Sequence, residues 1–104
     1  MVPFQTVEAI APDSRVLIRL DLNAPVDDSG SVVDTRRFDR HAASVDALAA
    51  AGHRVVCLAH QGRPGGDAFI SLAQHAALLD AKTAAPVRFV DAVTEPRALA
   101  AIDA

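Results

Sequence analysis

Apolar residues along this chain come in short runs, separated by polar stretches rich in glycine and proline. "RVLIRLDL", residues 15–22, alternates Val16, Ile18 and Leu20 with Leu17 and Arg19. Both faces of that segment are largely apolar, which predicts a β-strand. In "NAPVDDSGS", 23–31, Pro25, two aspartates and Gly30 predict a turn-rich connection. From about Thr35 to Ala51, Phe38, Ala42, Val45 and Ala49 keep the spacing of one helical face, with His41 and Leu48 beside it. Asp34 or Thr35 suits the start of that helix, and Gly52 the position just past its end. "RVVCLA", 54–59, is a continuous apolar run of strand length, the form expected of a strand covered on both faces.

A loop rich in glycine follows His60 and runs to about Ile70. Ser71 and Gln74 have the spacing of a capping box and predict a helix reaching about Lys82. "VRFV", 87–90, announced by Pro86, predicts a third short strand. Thr94 and Pro96 are placed to cap and begin a last helix over 95–102. The order is β-α-β-α-β-α. Such alternation predicts an α/β fold with a Rossmann-like parallel sheet, right-handed crossovers and helices on its faces, three layers in all. Three parallel strands would leave two unpaired edges, an aggregation hazard.

Composition narrows the picture a little. The chain has 104 residues, the size of one small domain, and 51% of them are apolar. That mixture is globular and not disordered. A net charge of −3 gives no global field favouring nucleic acid or anionic lipid. The single cysteine, Cys57, sits in an apolar run and reads as a small core residue. "MVPFQTVEAI" has neither the basic start nor the long apolar segment of a signal peptide, and no stretch is long and apolar enough to span a membrane. The expected location is cytoplasmic and reducing.

Topology brings the unusual polar residues together. In a parallel sheet the C-terminal ends of the strands and the N-termini of the following helices share one edge, where ligands bind. Asp21 and Asn23 end the first strand, Arg36 and Arg37 open the first helix, and His60 and Arg63 follow the second strand. A helix N-terminus prefers acidic residues, so two arginines there break a local rule. A bound anion would reverse the sign, attracting the arginines and the helix end together. Blander readings stand beside this one. Arg36, Arg37 and Arg40 suit a solvated helix start paired with Asp34 and Asp39. His60 suits an ordinary strand end, Asp21 a turn, and "GRPGG" a flexible loop. His41, His53 and His75 fall on the helix face, helix end and helix body and are read as structural. No His, Cys or carboxylate spacing predicts a metal cage, and the glycines match neither G-x-G-x-x-G nor a P-loop.

"RVLIRLDLNAPV", the basic helix start and "LAHQGRP" together resemble the N-terminal, 3-phosphoglycerate-binding domain of the phosphoglycerate kinase family. The family forms are R-V-D-x-N-V-P, T-R-I and S-H-x-G-R-P. Similarity extends through "SLAQHAALL" and "PVRFV", so it covers about residues 14–93. "RRFDRHA" with "AHQGRP" is more similar to archaeal versions than to bacterial ones. Gln61, Ala59 and Ala24 depart from the common Leu, Ser and Val without removing an anion donor.

The resemblance implies a partial N-terminal domain over residues 1–104, a fragment or truncated product of a two-domain family. The nucleotide-binding C-terminal domain would then lie outside it. It implies reversible phosphoryl transfer between 1,3-bisphosphoglycerate and ADP in glycolysis and gluconeogenesis. By the motif match, Asp21, Asn23, Arg37, His60, Gln61, Gly62 and Arg63 would bind the substrate, and Arg37 would also serve catalysis. Counting from Asp21 favours Arg36, and counting back from His60 favours Arg37; Arg37 is chosen because "DDSGS" reads as one residue longer than usual. Magnesium-bound ATP or ADP belongs to the complete enzyme, outside this segment, with no cofactor and no metal bound here. The complete enzyme is expected to be monomeric, with no nucleic-acid or membrane partner, and the isolated chain inactive. Two alternatives remain from the residues alone: a non-catalytic anion-binding module, and a haloacid-dehalogenase-like phosphatase, since "LIRLDLN" resembles a strand-end D-x-D.

Overall fold

A computed structural model of the chain describes residues 7–93 and 95–103. A single 3-10 turn at Val7–Ala9 leads into β1 (Arg15–Arg19), followed by α1 (Arg36–Ala50), β2 (Arg54–Leu58), α2 (Ala73–Asp80) and α3 (Pro96–Asp103). The strands pair in parallel, with Arg15 beside Arg54 and Arg19 beside Leu58. Parallel pairing follows from α1, which carries the chain back to the starting end of the sheet. The fold is α/β, with an incomplete Rossmann-like arrangement of two strands and three helices among the described residues.

The third expected strand does not form. Residues 87–90 join no ladder. The Val87 N–H donates instead to Asp80 Oδ1 at 2.7 Å, and the Val87 side chain packs against the core. A backbone donor satisfied by a carboxylate has no need of a strand partner.

Helix α1 follows the apolar spacing. Phe38, Ala42, Val45 and Leu48 are buried, and Ala49 is half-buried. At its start, Asp34 Oδ1 accepts the Arg36 N–H at 3.1 Å, while the Thr35 side chain makes no cap bond. At its end, Gly52 has φ 91°, its N–H reaches Ala49 O, and the His53 N–H reaches Leu48 O. That is a Schellman closure, and its left-handed residue is the reason for glycine.

Helix α2 begins at Ala73, later than the capping box would have it. Ser71 Oγ accepts the Ala73 N–H at 3.2 Å, but Gln74 does not complete the box. Its carboxamide crosses to the 26–32 loop, where Oε1 accepts the Val32 N–H and Nε2 donates to Gly30 O at 2.7 Å. The expected cap residue Thr94 of α3 lies outside the described residues.

Phe38 is fully buried among Leu20, Leu22, Ala24, Ala42, Val45 and Leu79, with Ile18, Cys57 and Val87 packed against them. Burying one such phenylalanine contributes about 1.5–3 kcal/mol. Burial also pushes the Cys57 thiol pKa up, as suits a packing residue. The opposite face of the sheet is only partly covered: Val56 is half-buried, and Arg15 reaches Asp103 of α3 at 3.3 Å. Leu17 is 65% and Leu58 39% exposed, and β2 has no fully buried residue. The expectation of a strand covered on both faces therefore fails, because α1 packs on the Ile18 and Cys57 side only. No described helix is long and apolar enough to cross a membrane.

Candidate functional site

Beyond β1 the chain keeps its period of two. Leu20, Leu22 and Ala24 are buried, so Asp21 and Asn23 between them point the other way. The Leu20 N–H still reaches Leu58 O at 2.8 Å, which aligns this segment with the end of β2. Burial of three small apolar residues thus sets the direction of two polar ones.

The first turn of α1 meets them. Arg37 Nη1 donates to Asp21 Oδ2 at 2.8 Å and to Asn23 O at 3.3 Å. One turn on, His41 Nε2 lies 3.1 Å from Asp21 O. A carbonyl only accepts, so Nε2 carries the proton. From the other side, Asn23 Oδ1 accepts the Gly62 N–H at 2.8 Å. Arg36 behaves differently: its Nη2 sits 2.7 Å from Asp34 Oδ2, and its Nε contacts both Asp34 oxygens. That side-chain bond first, and the Arg36 backbone N–H second, push the Asp34 pKa down to about 2. Asp34 therefore stays charged at neutral pH and keeps Arg36 paired. Arg37 is the arginine that reaches the Asp21–Asn23 segment.

Gln61 is 3% exposed, and its carboxamide is bonded at both ends. Oε1 accepts the Ala24 N–H at 2.9 Å, and Nε2 donates to Ala24 O at 2.8 Å. His75 Nε2 lies 2.9 Å from the same Oε1. Because Ala24 fixes which end of the carboxamide is oxygen, His75 Nε2 must be the donor. His75 is 1% exposed, its ring centroid is 5.9 Å from that of Phe38, and its Nδ1 has no hydrogen-bond partner among the described residues. Burial pushes its pKa down.

Gly62 has φ 63°, and a Cβ there would lie 2.7 Å from the carbonyl carbon and oxygen of Ala68. Only glycine fits where the loop closes on itself this tightly. "GRPGG" is thus a folded turn, held also by Gly66 N–H to Arg63 O at 2.9 Å.

The result is an open cleft of about 960 Å³ at the C-terminal edge of the sheet. Asp21, Asn23, Arg36, Arg37, Gln61 and Gly62 all line it, and so do Asp34, Arg40 and His41. Three arginines thus face two aspartates there, an excess of one positive charge. His60 is exposed and faces a second cleft of about 360 Å³, with Arg19, Leu20 and Asp21; Asp21 lines both. Arg63 is exposed in its loop and lines neither of these two clefts. Arg40 and His41 join the site unannounced. Their signal was spacing: three and four residues after Arg37 is the same helix face. Gln61 was expected at the site from its motif, but its pairing with Ala24 and His75 had no such signal, since only the tertiary packing brings positions 24, 61 and 75 together.

Among the described residues no group of three or more His, Cys, Asp or Glu side chains is placed to hold a metal ion. Comparison with known proteins gives one consistent result. The phosphoglycerate kinase family model matches residues 7–104. A phosphoglycerate kinase of Halorubrum lacusprofundi is 53% identical over 104 residues, all of this chain and 25% of the relative. That of Haloarcula vallismortis is 52% identical over 99 residues, 95% of this chain and 24% of the relative. That of Saccharolobus solfataricus is 42% identical over 84 residues, 81% of this chain and 21% of the relative. The chain spans about a quarter of the length of the curated relatives it matches. A match of this extent leaves the dehalogenase-like reading without support. By family model, by sequence identity and by the order of its strand-end and loop motifs, the chain belongs to the phosphoglycerate kinase family.

Proposed function

We propose that this chain forms part of the 3-phosphoglycerate site of a phosphoglycerate kinase, which moves a phosphoryl group reversibly between 1,3-bisphosphoglycerate and ADP. The observation that carries the reading is Arg37, held by Asp21 and Asn23 in a cleft with an excess of positive charge. Its two bonds use Nη1 alone, and a guanidinium has five donors. Nε and Nη2 are thus available to a phosphate or carboxylate, in the planar geometry that such groups accept.

Phosphoryl transfer asks little covalent chemistry of a protein. It depends on positioning, and on positive charge around the spreading negative charge. Arg37 neutralises phosphoryl oxygens, Asp21 and Asn23 orient Arg37 and a substrate hydroxyl, and Arg40 adds charge to the cleft. His60 and Arg63, on the loop after β2, lie outside the cleft that Arg37 lines and are assigned to the charged ends of the substrate by the motif match alone. Gln61 and Gly62 complete the wall. Magnesium-bound nucleotide is assigned to the complete enzyme, outside this segment. No step through that nucleotide is assigned to this chain. We further assign the complete enzyme to the cytoplasm as a monomer, without nucleic-acid or membrane partners.

Titration of 3-phosphoglycerate into the 15N-labelled chain tests the reading. Shifts are expected at Arg37 Nε, the Asn23 side-chain amide and the Gly62 N–H, with none when glycerol replaces the phosphorylated acid. Absence of these shifts at saturating concentration overturns it. In a coupled assay with 1,3-bisphosphoglycerate and magnesium-ADP, the purified chain is expected to form no ATP.

A further inference from the structure

Gln61 is buried, and its carboxamide is bonded at both its oxygen and its nitrogen. A buried amide is costly unless its bonds are made, so its presence asks for a function that an apolar side chain would not serve. It grips one residue, Ala24, through both the N–H and the carbonyl. Ala24 immediately follows Asn23, whose Oδ1 holds the Gly62 N–H and whose carbonyl accepts from Arg37. The next residue after Gln61 is Gly62 itself. Gln61 therefore pins both chain segments that meet at Asn23, each one residue away from the contact.

His75 braces that grip. Its Nε2 proton is given to Gln61 Oε1 at 2.9 Å, and its ring lies beside Phe38, the most buried side chain of α1. The two Ala24 bonds set which way the carboxamide faces, and this third bond holds it there; without the donor the buried Oε1 loses one of its two partners and the grip on Ala24 loosens. The neighbouring Gln74 holds the 30–32 segment from the same turn of α2. Helix α2 contributes no residue to the lining of the cleft, but it fixes two strands of chain beneath it.

We propose that Gln61 and His75 are positioning residues for the anion cleft: His75 anchors the Gln61 carboxamide, which locks Ala24 and so holds Asn23 in register with Gly62 and Arg37. The link to 3-phosphoglycerate rests on the function proposed above; the positioning itself does not.

The test compares the intact chain with His75→Leu, which removes the donor, and with His75→Gln, whose amide nitrogen restores one at similar reach. Two quantities are read under conditions where each chain is folded: hydrogen exchange at the Ala24 N–H, and affinity for 3-phosphoglycerate. In His75→Leu, exchange at Ala24 should accelerate about tenfold and affinity fall about fivefold to tenfold, the scale of one buried hydrogen bond. In His75→Gln, both should return to within about twofold of the intact chain. A purely structural role would lower thermal stability while leaving the affinity of the folded chain unchanged. Unchanged Ala24 exchange in His75→Leu, or equal damage in both variants, overturns the proposal. If the intact chain binds no 3-phosphoglycerate, the function proposed above fails while the exchange comparison still decides the positioning. Should the leucine variant not fold, the imidazole 15N shifts of the intact chain decide: a proton on Nε2 supports the arrangement, and one on Nδ1 overturns it.

Discussion

Arg37 Nη1 lies 2.8 Å from Asp21 Oδ2, a contact between the first turn of one helix and the end of the strand sixteen residues before it. Both side chains are well exposed, at 59% and 64%. An ion pair so placed contributes at most about 1 kcal/mol to stability, because water screens it. Its importance is directional: Asp21 aims the guanidinium into the cleft.

Replacement of Arg37 therefore separates binding from folding. Arg37→Ala should weaken 3-phosphoglycerate binding tenfold or more, given about 1.5–3 kcal/mol for a hydrogen bond to a charged group. Its melting temperature should change little. Arg36→Ala should leave affinity within about twofold, since Arg36 is already paired with Asp34 and exposed. Calorimetric titration of both variants checks the pair. Equal losses would mean that Asp34 releases Arg36 to the ligand.

Gly62→Ala is expected to damage both fold and site. The left-handed backbone alone costs about 1–2 kcal/mol for a residue with a side chain. The Ala68 backbone at 2.7 Å adds a clash that no flexible side chain can relieve. Urea unfolding should show a lower midpoint, and the Gly62 N–H should lose its protection by Asn23.

His75 gives the stability a pH dependence of definite sign. Its folded pKa lies below the ordinary 6.5 because burial disfavours the charged ring. Above about pH 6.5 the ring is neutral folded or unfolded and contributes no slope. Below that, the unfolded chain takes up the proton more readily, so stability falls as the pH drops. Melting temperatures measured between about pH 7.5 and 5 should decline, and His75→Gln should remove this part of the decline.

The partly covered face of the sheet should make the chain self-associate. Leu17 and Leu58 are exposed on one face of two strands, each of which also has an unpaired edge among the described residues. Leu17→Lys should reduce association, as read by sedimentation velocity over a range of concentrations. A monomeric intact chain with a single sharp melt would show that these edges are protected.

Much of this was legible beforehand because local rules and tertiary demands agree. The recurrence of Phe38, Ala42 and Val45 builds the same helix that the core requires, although Leu48, read as lying beside that face, is buried where Ala49 is only half-buried. The apolar runs at 15–22 and 54–59 contain both strands, and a helix between them compels parallel pairing. Topology put Asp21, Asn23, Arg36 and Arg37 alike on one edge, because strand ends and helix starts share an edge in any such sheet. Where competing partners existed, periodicity was silent. Val87 reads as a strand residue, but its N–H takes the nearer Asp80 carboxylate. Gln74 reads as a cap, but the 30–32 loop offers it two backbone groups.

The sequence by itself determined the alternation of the first four elements, most of the apolar helix face and the polar residues that follow each strand, since these depend on neighbours within a few positions. Only the tertiary structure decided that Arg37 and not Arg36 meets Asp21, that His60 opens on a different cleft, and that Gln61, His75 and Ala24 form one buried unit. Those outcomes depend on which donor reaches which acceptor across 14 to 39 residues of chain, a competition of distances that no local pattern encodes.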